Sequence, residues 1–291
     1  MPRHVKQLTV VSGKGGTGKT TVLASFAALA RDAAIADCDV DAANLYLLLH
    51  PEVREKSEFF GAKVAVRDAD KCRQAGECER RCRFGAITKT SINVAACEGC
   101  GLCVLVCPND ALRLETIVSG HYFISETRYG PMVHARLEPG GESSGRLVTR
   151  VRQLAENVAL AQGKRLVLID GPPGIGCTAV AALADVDLAL VVTEPTLSGI
   201  HDMQRVVELA GHFGLPAAAI INKADINALN AAAIREFCAA HKIPVLAELP
   251  FDDAVARALA SQVPVVEYCD GPVSAGLRAA WEEIERFLLQ S

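Results

Sequence analysis

Six apolar runs punctuate the chain, at residues 7–12, 33–37, 165–170, 188–193, 217–222 and 244–248. A run such as Leu166-Val167-Leu168-Ile169 shows no alternation with polar residues, which is the pattern of a strand buried on both faces. Alanine-rich stretches with helical spacing separate most of them, at about 19–31, 176–184, 198–213, 227–240 and 252–260. Strand and helix in alternation predict an α/β fold, a mostly parallel sheet with helices on both faces. Between about residues 62 and 115 this periodicity stops, and cysteine, arginine and glycine replace it. The break predicts a small inserted domain, 62–115, within a discontinuous larger one, 1–61 and 116–291. Residues 120–137 read as a hairpin turning near Tyr129-Gly130-Pro131. After the Pro-Gly-Gly loop at 139–141, Ser143 or Ser144 reads as the cap of a helix reaching about Ala161. In the last helix Leu277, Trp281, Ile284, Phe287 and Leu288 form an apolar stripe beside mostly acidic charges, which fits a core-facing helix better than a membrane anchor.

Half of the 291 residues are hydrophobic and 22% are charged, enough for a large core. No run of about 18 uncharged apolar residues occurs, so no membrane span is expected. The polar opening Met1–Lys6 does not read as a signal peptide, and the expected location is cytoplasmic. A net charge of -4 argues against a general nucleic-acid-binding surface. The eleven cysteines change the picture. Seven of them, Cys72, Cys78, Cys82, Cys97, Cys100, Cys103 and Cys107, crowd into 36 residues. In a long chain without an export signal, such a cluster points to metal ligation rather than to disulfides.

The first strand leads into Gly13-Lys14-Gly15-Gly16-Thr17-Gly18-Lys19-Thr20, which fits the P-loop pattern and lies between a strand and a helix. Its glycines let backbone N–H groups turn around phosphate oxygens at the positive end of the following helix. In that arrangement Lys19 reaches the β- and γ-phosphates and the Thr20 hydroxyl ligates Mg²⁺. Asp37, Asp39 and Asp170 follow two other strands, at the sheet edge where α/β folds collect their ligands. Asn222-Lys223-Ala224-Asp225 ends a further strand and fits the Asn-Lys-x-Asp pattern of GTP-binding proteins, so spacing alone leaves ATP and GTP both open.

Cys97, Cys100, Cys103 and Cys107, followed by Pro108, match the bacterial ferredoxin run C-x₂-C-x₂-C-x₃-C-P completely. Three thiolates on one tight loop grip three irons of a cubane, while the fourth crosses to a second cluster. Paired C-x₂-C motifs also serve zinc, but four cysteines in one run closed by proline favour iron–sulfur. The earlier run, Cys72 to Cys82, carries Ala75 where its second cysteine belongs. With crossed ligation, Cys82, Cys97, Cys100 and Cys103 form a complete set for one [4Fe–4S] cluster. Cys72, Cys78 and Cys107 are left one ligand short. Three outcomes stand open for that second site: a [3Fe–4S] cluster, a [4Fe–4S] cluster with a non-cysteine ligand, for which Glu77 is the nearest oxygen, or no cluster.

The run from Lys14 to Thr21, with its additional lysine, resembles the deviant P-loop of the MinD/ParA/Mrp-type ATPases. With the cysteine motif beside it, the chain resembles the MinD-superfamily P-loop ATPases that carry an inserted ferredoxin domain. The likeness extends through Arg83–Ile87, Thr127–Gly130, Ser144–Val148 and Leu249–Asp252. It implies that Lys14 reaches across a nucleotide-sandwich homodimer to the partner's phosphates, in the manner of an arginine finger. It implies that Asp39 orients the attacking water, that Asp37 and Asp170 stand near the Mg²⁺ shell, and that Gly174 senses the γ-phosphate. Asn222 would meet adenine, which favours ATP.

The activity implied is an ATP-driven iron–sulfur or redox switch serving an unidentified redox or iron–sulfur partner protein. An iron–sulfur carrier of the Mrp-like branch is an alternative, although that branch uses a C-terminal C-x-x-C pair and Cys238 and Cys269 are isolated here. A non-redox spatial organiser, like the division and partition ATPases, is another. Cys38 and Cys177 read as small residues packed behind the switch loops.

Overall fold

The computed structural model describes residues 5–138 and 144–289. In chain order its elements begin β1 (Lys6–Ser12), α1 (Lys19–Leu29), β2 (Ala33–Asp37), α2 (Tyr46–Leu49), β3 (Glu52–Phe59), β4 (Ala62–Arg67), α3 (Glu77–Arg81), α4 (Leu102–Leu105), β5 (Leu112–Ile117), β6 (Gly120–Thr127) and β7 (Gly130–Leu137). They continue α5 (Gly145–Ala161), β8 (Leu166–Pro173), α6 (Cys177–Leu183), β9 (Leu188–Thr193), α7 (Leu197–His212), β10 (Ala217–Asn222), α8 (Ala228–Ala240), β11 (Val245–Leu249), α9 (Asp253–Ala260), α10 (Val265–Tyr268) and α11 (Pro272–Leu289). The chain divides into two compact units. One comprises Met1–Lys56, Phe123–Ala135 and Ser144–Ser291, and the other Ser57–Tyr122 and Arg136–Ser143. The second unit contains residues 62–115 with flanking residues on both sides, and it includes Arg136 and Leu137 at the end of β7.

The main sheet runs β11-β10-β9-β1-β8-β2-β7-β6-β3. Its central pairs are parallel: β1 with β8 and β9, β2 with β8 and β7, and β10 with β9 and β11. The apolar runs show no alternation because both faces of these strands are covered. Leu188, Leu190 and Val192 of β9 join one core with α1 and α11, whereas Ala189 and Val191 join another with α7 and α8. β8 continues past Asp170, since pairing with β1 resumes after an irregularity and sets Ser12 opposite Pro173. At the other end of the sheet order lies β3, a strand with five charged residues that hydrophobic periodicity does not reveal. Charge on an edge strand discourages pairing with other chains.

Helix α5 begins where Ser144 Oγ accepts the Leu147 N–H at 3.4 Å, an N-cap. Ser143 and the 139–141 loop lie outside the described residues. In α11, Leu277, Trp281, Ile284 and Leu288 are buried and Trp281 packs on Phe26 with ring centroids 5.3 Å apart. Phe287 falls off that face and is 49% exposed, so the stripe is one residue narrower than expected. Among the described residues no helix is long and apolar enough to cross a membrane.

In the second unit β4 and β5 pair antiparallel, from Ala62 opposite Ile117 to Arg67 opposite Leu112. The segment between them holds two short α-helices, a single 3-10 turn at Val94–Ala96 and little apolar material. Its core is Ala65, Ala86, Ile87, Cys103 and Leu112, with Cys78, Cys82, Cys97 and Cys107 packed partly buried against it. All eleven cysteines are free.

Candidate functional sites

Between β1 and α1 the chain turns through Gly16 (φ 80°) and Gly18 (φ 99°), left-handed conformations that favour glycine. Space forbids a side chain too. A Cβ at Gly18 would lie 2.4 Å from Asn222 Nδ2, and one at Gly13 would lie 2.2 Å from Asp202 Cβ. The loop is braced from three sides. Asn222 Nδ2 donates to Thr17 O at 2.8 Å, Ser12 Oγ donates to Lys14 O at 2.7 Å, and Gly174 N donates to Ser12 O at 2.8 Å. No side chain caps α1, so its first-turn N–H groups remain for an anion. Asn222 Oδ1 accepts from Lys223 N at 3.0 Å, so each end of this amide makes a hydrogen bond within the chain. Asp225 is likewise committed, with Oδ1 accepting the Phe251 N–H at 2.7 Å.

The carboxylates gather beside the loop because β2 and β8 are neighbours in register, with Asp37 opposite Asp170. Thr20 Oγ1 donates to Asp170 Oδ2 at 2.9 Å, Lys19 Nζ lies 3.6 Å from Asp39 Oδ2, and Asp39 N donates to Asp37 Oδ1 at 3.3 Å. Thr17 Oγ1, Asp37 Oδ2 and Asp170 Oδ1 are buried without a hydrogen-bond partner. Buried polar atoms are normally paired, so three orphans on the P-loop and on the facing ends of β2 and β8 mark groups suited to a ligand. Burial, with Asp170 and Asp39 adding repulsion, raises the Asp37 carboxyl well above its ordinary value. Burial pushes Asp170 up to about 6 despite Lys19 and the Thr20 hydroxyl. Asp39 is raised by burial too, with Lys19 opposing. Two buried carboxylates and a threonine hydroxyl are hard oxygen donors short of positive charge, a set that fits Mg²⁺ and a phosphate chain. The P-loop, Lys19, Thr20 and the three aspartates thus come together as one site.

Lys14 turns the other way. Its Nζ pairs with Glu194 at 2.7 Å and donates to Thr196 Oγ1 at 3.2 Å and Ser198 Oγ at 3.1 Å. Sequence reasoning missed these three residues. The available signal was their position directly after the β9 strand, on the same sheet edge as the other site loops. Cys38 is buried as expected, and burial pushes its thiol up. Cys177, the first residue of α6, is exposed rather than packed behind the loop.

In the second unit the seven clustered cysteines line two hollows. Cys82, Cys97, Cys100 and Cys103 line one hollow, and Cys72, Cys78 and Cys107 line another together with Ala75 and Glu77. Ala65 N donates to Cys97 Sγ at 3.4 Å and Ala111 N to Cys107 Sγ at 3.3 Å. A Cβ at Gly99, whose φ is 60°, would lie 2.3 Å from Lys63 O, so the cysteine loop presses on β4 backbone. Among the described residues, no three histidine, cysteine, aspartate or glutamate side chains are grouped so as to hold one metal ion.

Residues 8–265 match the CobQ/CobB/MinD/ParA nucleotide binding domain. An uncharacterized protein of Methanocaldococcus jannaschii is 29% identical over 98% of this chain and 98% of its own length. An uncharacterized ATP-binding protein of the same organism is 27% identical over 93% of this chain and 84% of that one. Among solved structures, the cell division ATPase MinD of Pyrococcus furiosus superposes with a TM-score of 0.60 at 20% identity, covering 97% of this chain and 99% of that one.

Proposed function

This chain belongs to the CobQ/CobB/MinD/ParA nucleotide-binding family, and on that premise we propose that it is an Mg-ATP-hydrolysing switch that closes as a homodimer and governs electron transfer or iron–sulfur chemistry with a partner protein. In this reading the loop from Gly13 to Thr21 and the N-terminus of α1 cradle the phosphates, and Lys19 neutralises them. Thr20 and Asp170 hold the Mg²⁺, with Asp37 behind them, and Asp39 orients water beside Gly174. Bound Mg²⁺ supplies the positive charge that both the phosphates and the buried carboxylates need. Lys14, once it leaves Glu194, crosses to the partner's phosphates. The ATP-binding description of the relative from Methanocaldococcus jannaschii supports ATP over GTP.

The iron–sulfur half of the proposal is carried by one observation. The four cysteines that crossed ligation groups together, Cys82 with Cys97, Cys100 and Cys103, line a single hollow. A cubane takes each thiolate on a different iron, whereas zinc needs all of them at about 2.3 Å from one point. The small apolar core of the unit fits the same reading, since units of this size usually need a metal or another staple. A cluster there supplies one-electron chemistry.

Electron paramagnetic resonance of anaerobically purified protein, oxidised and then reduced, with and without Mg-ATP, tests both halves. A reduced-cluster signal that changes with Mg-ATP is the expected result. A signal indifferent to nucleotide would remove the coupling, and zinc in place of iron would remove the redox role.

A further inference from the structure

The hollow lined by Cys72, Cys78 and Cys107 can be read further. We propose that it binds an iron–sulfur cluster through these three thiolates alone and leaves one corner of the cluster without any ligand from the chain. The proposal rests on the iron–sulfur reading of the second unit.

Ala75 lines this hollow, and a methyl group donates nothing to iron. Among the described residues Glu77 is the one carboxylate in the lining. It is already engaged, for its Oε1 pairs with Arg80 and its Oε2 lies 4.0 Å from Arg81 Nε, one and the next residue up the same helical turn. Moving it onto iron would leave both guanidiniums without that partner. The rest of the wall suits an anionic occupant. Arg67 and Lys89 line it, and the Arg67 guanidinium is fixed by Nη1–H and Nη2–H bonds to Lys89 O (2.8 Å) and Thr88 O (2.6 Å). Its Nε–H is buried and has no acceptor. An orphaned donor on the wall of a three-cysteine hollow is explained by an acceptor that fills it, and cluster sulfides and thiolates are such acceptors. Ala111 N already donates to Cys107 Sγ, the kind of bond that tunes a cluster.

An iron at the unligated corner is held only by sulfides and solvent, so it exchanges. Reduction of [3Fe–4S]⁺ by one electron from dithionite, followed by uptake of one Fe²⁺, gives [4Fe–4S]²⁺, and removal of one electron by ferricyanide releases that Fe²⁺ and restores [3Fe–4S]⁺.

The test is electron paramagnetic resonance of the full-length, ferricyanide-oxidised protein, with iron and zinc counted on the same sample. The expected result is a three-iron signal of about one spin per chain that disappears on incubation with dithionite and Fe²⁺. Ala75→Cys should remove the signal and raise the iron content by about one per chain, and Glu77→Gln should leave the signal unchanged. Loss of the signal in Glu77→Gln would overturn the proposal by making that carboxylate a ligand. So would a sample with about four irons, a reducible four-iron cluster and no three-iron signal, since the second hollow would then be empty. No iron in either wild type or Ala75→Cys would instead overturn the iron–sulfur reading on which the proposal stands.

Discussion

Lys14 Nζ lies 2.7 Å from Glu194 Oε1, and the second oxygen of the same carboxylate lies 2.9 Å from Lys223 Nζ. Burial pushes the Glu194 carboxyl up, but hydrogen bonds from Lys14 and Lys223 outweigh it and hold it below its ordinary value. The side chain is only 12% exposed, so this carboxylate is a fixed anchor for two lysines rather than a solvated charge.

If Lys14 serves a partner subunit, leaving Glu194 is part of the cost of dimer formation. Glu194→Gln weakens the hold by about 1 kcal/mol, so dimers should appear at about fivefold lower Mg-ATP. Lys14→Ala should abolish nucleotide-dependent dimers. Sedimentation velocity across an ATP series measures both. A Glu194→Gln protein that needs more ATP to dimerise would place Glu194 inside the closed state instead.

The raised carboxyls at Asp37 and Asp170 set a pH dependence with a definite sign. A folded-state value above the unfolded one means that the native state binds more protons between about pH 4 and 6. Stability of the nucleotide-free protein should therefore fall as pH rises through that window, by on the order of 3 kcal/mol from Asp170. Stabilisation by Mg-nucleotide should grow over the same window, because the cation requires the ionised carboxylates. Thermal melts of wild type and Asp170→Asn from pH 4.5 to 7.5 separate this contribution from general acid effects. Parallel curves for the two proteins would refute it.

Asn222 holds the phosphate loop through Thr17 O, so its loss should not change base selectivity. Asn222→Ala is expected to weaken ATP and GTP by the same factor, about five- to tenfold for one hydrogen bond of roughly 1 kcal/mol. Isothermal titration with both nucleotides gives the ratio. A selective loss of ATP would show that the amide turns to adenine when nucleotide is present.

If Cys82, Cys97, Cys100 and Cys103 hold a cluster as proposed, Cys100→Ser removes one of its ligands and with it a staple of a unit with a small core. Visible absorbance from that cluster should be lost, and residues 57–122 should become sensitive to limited proteolysis, while ATP binding by the other unit persists. Unchanged protection of the second unit would show that its apolar core suffices.

The parallel sheet was legible because strands buried on both faces are apolar throughout. Leu188–Thr193 and Ala217–Asn222 have the limits that their apolar runs indicate. Ser144 was legible as a cap because its chemistry is local. β3 escaped because Glu52-Val53-Arg54-Glu55-Lys56 lies at the end of the sheet order and buries too little to leave a pattern. Glu194, Thr196 and Ser198 escaped for a different reason. Their loop was placed correctly, but a contact between residues 14 and 194 is made by the fold and leaves no local trace in either segment. The inclusion of Arg136 and Leu137 in the second unit is equally a product of long-range contact. The second cysteine set stayed ambiguous in sequence because spacing shows which ligand is missing, not which side chains are already engaged, as Glu77 is with Arg80.

The two faces of β9 carry side chains of different size, leucines and valine on one and alanine and valine on the other. A slip of this strand by one residue would drive Leu190 into space fitted to smaller groups and leave a void where it had been, so the error is opposed from both sides. Such a slip would also carry the loop after Thr193 along by about 3.3 Å, more than the whole Lys14–Glu194 separation of 2.7 Å. The aliphatic sizes in the middle of the sheet thus act as a ruler for a charge pair at its edge. A substitution at Ala189 or Leu190, with no polar atom of its own, is therefore positioned to disturb the Lys14–Glu194 pair.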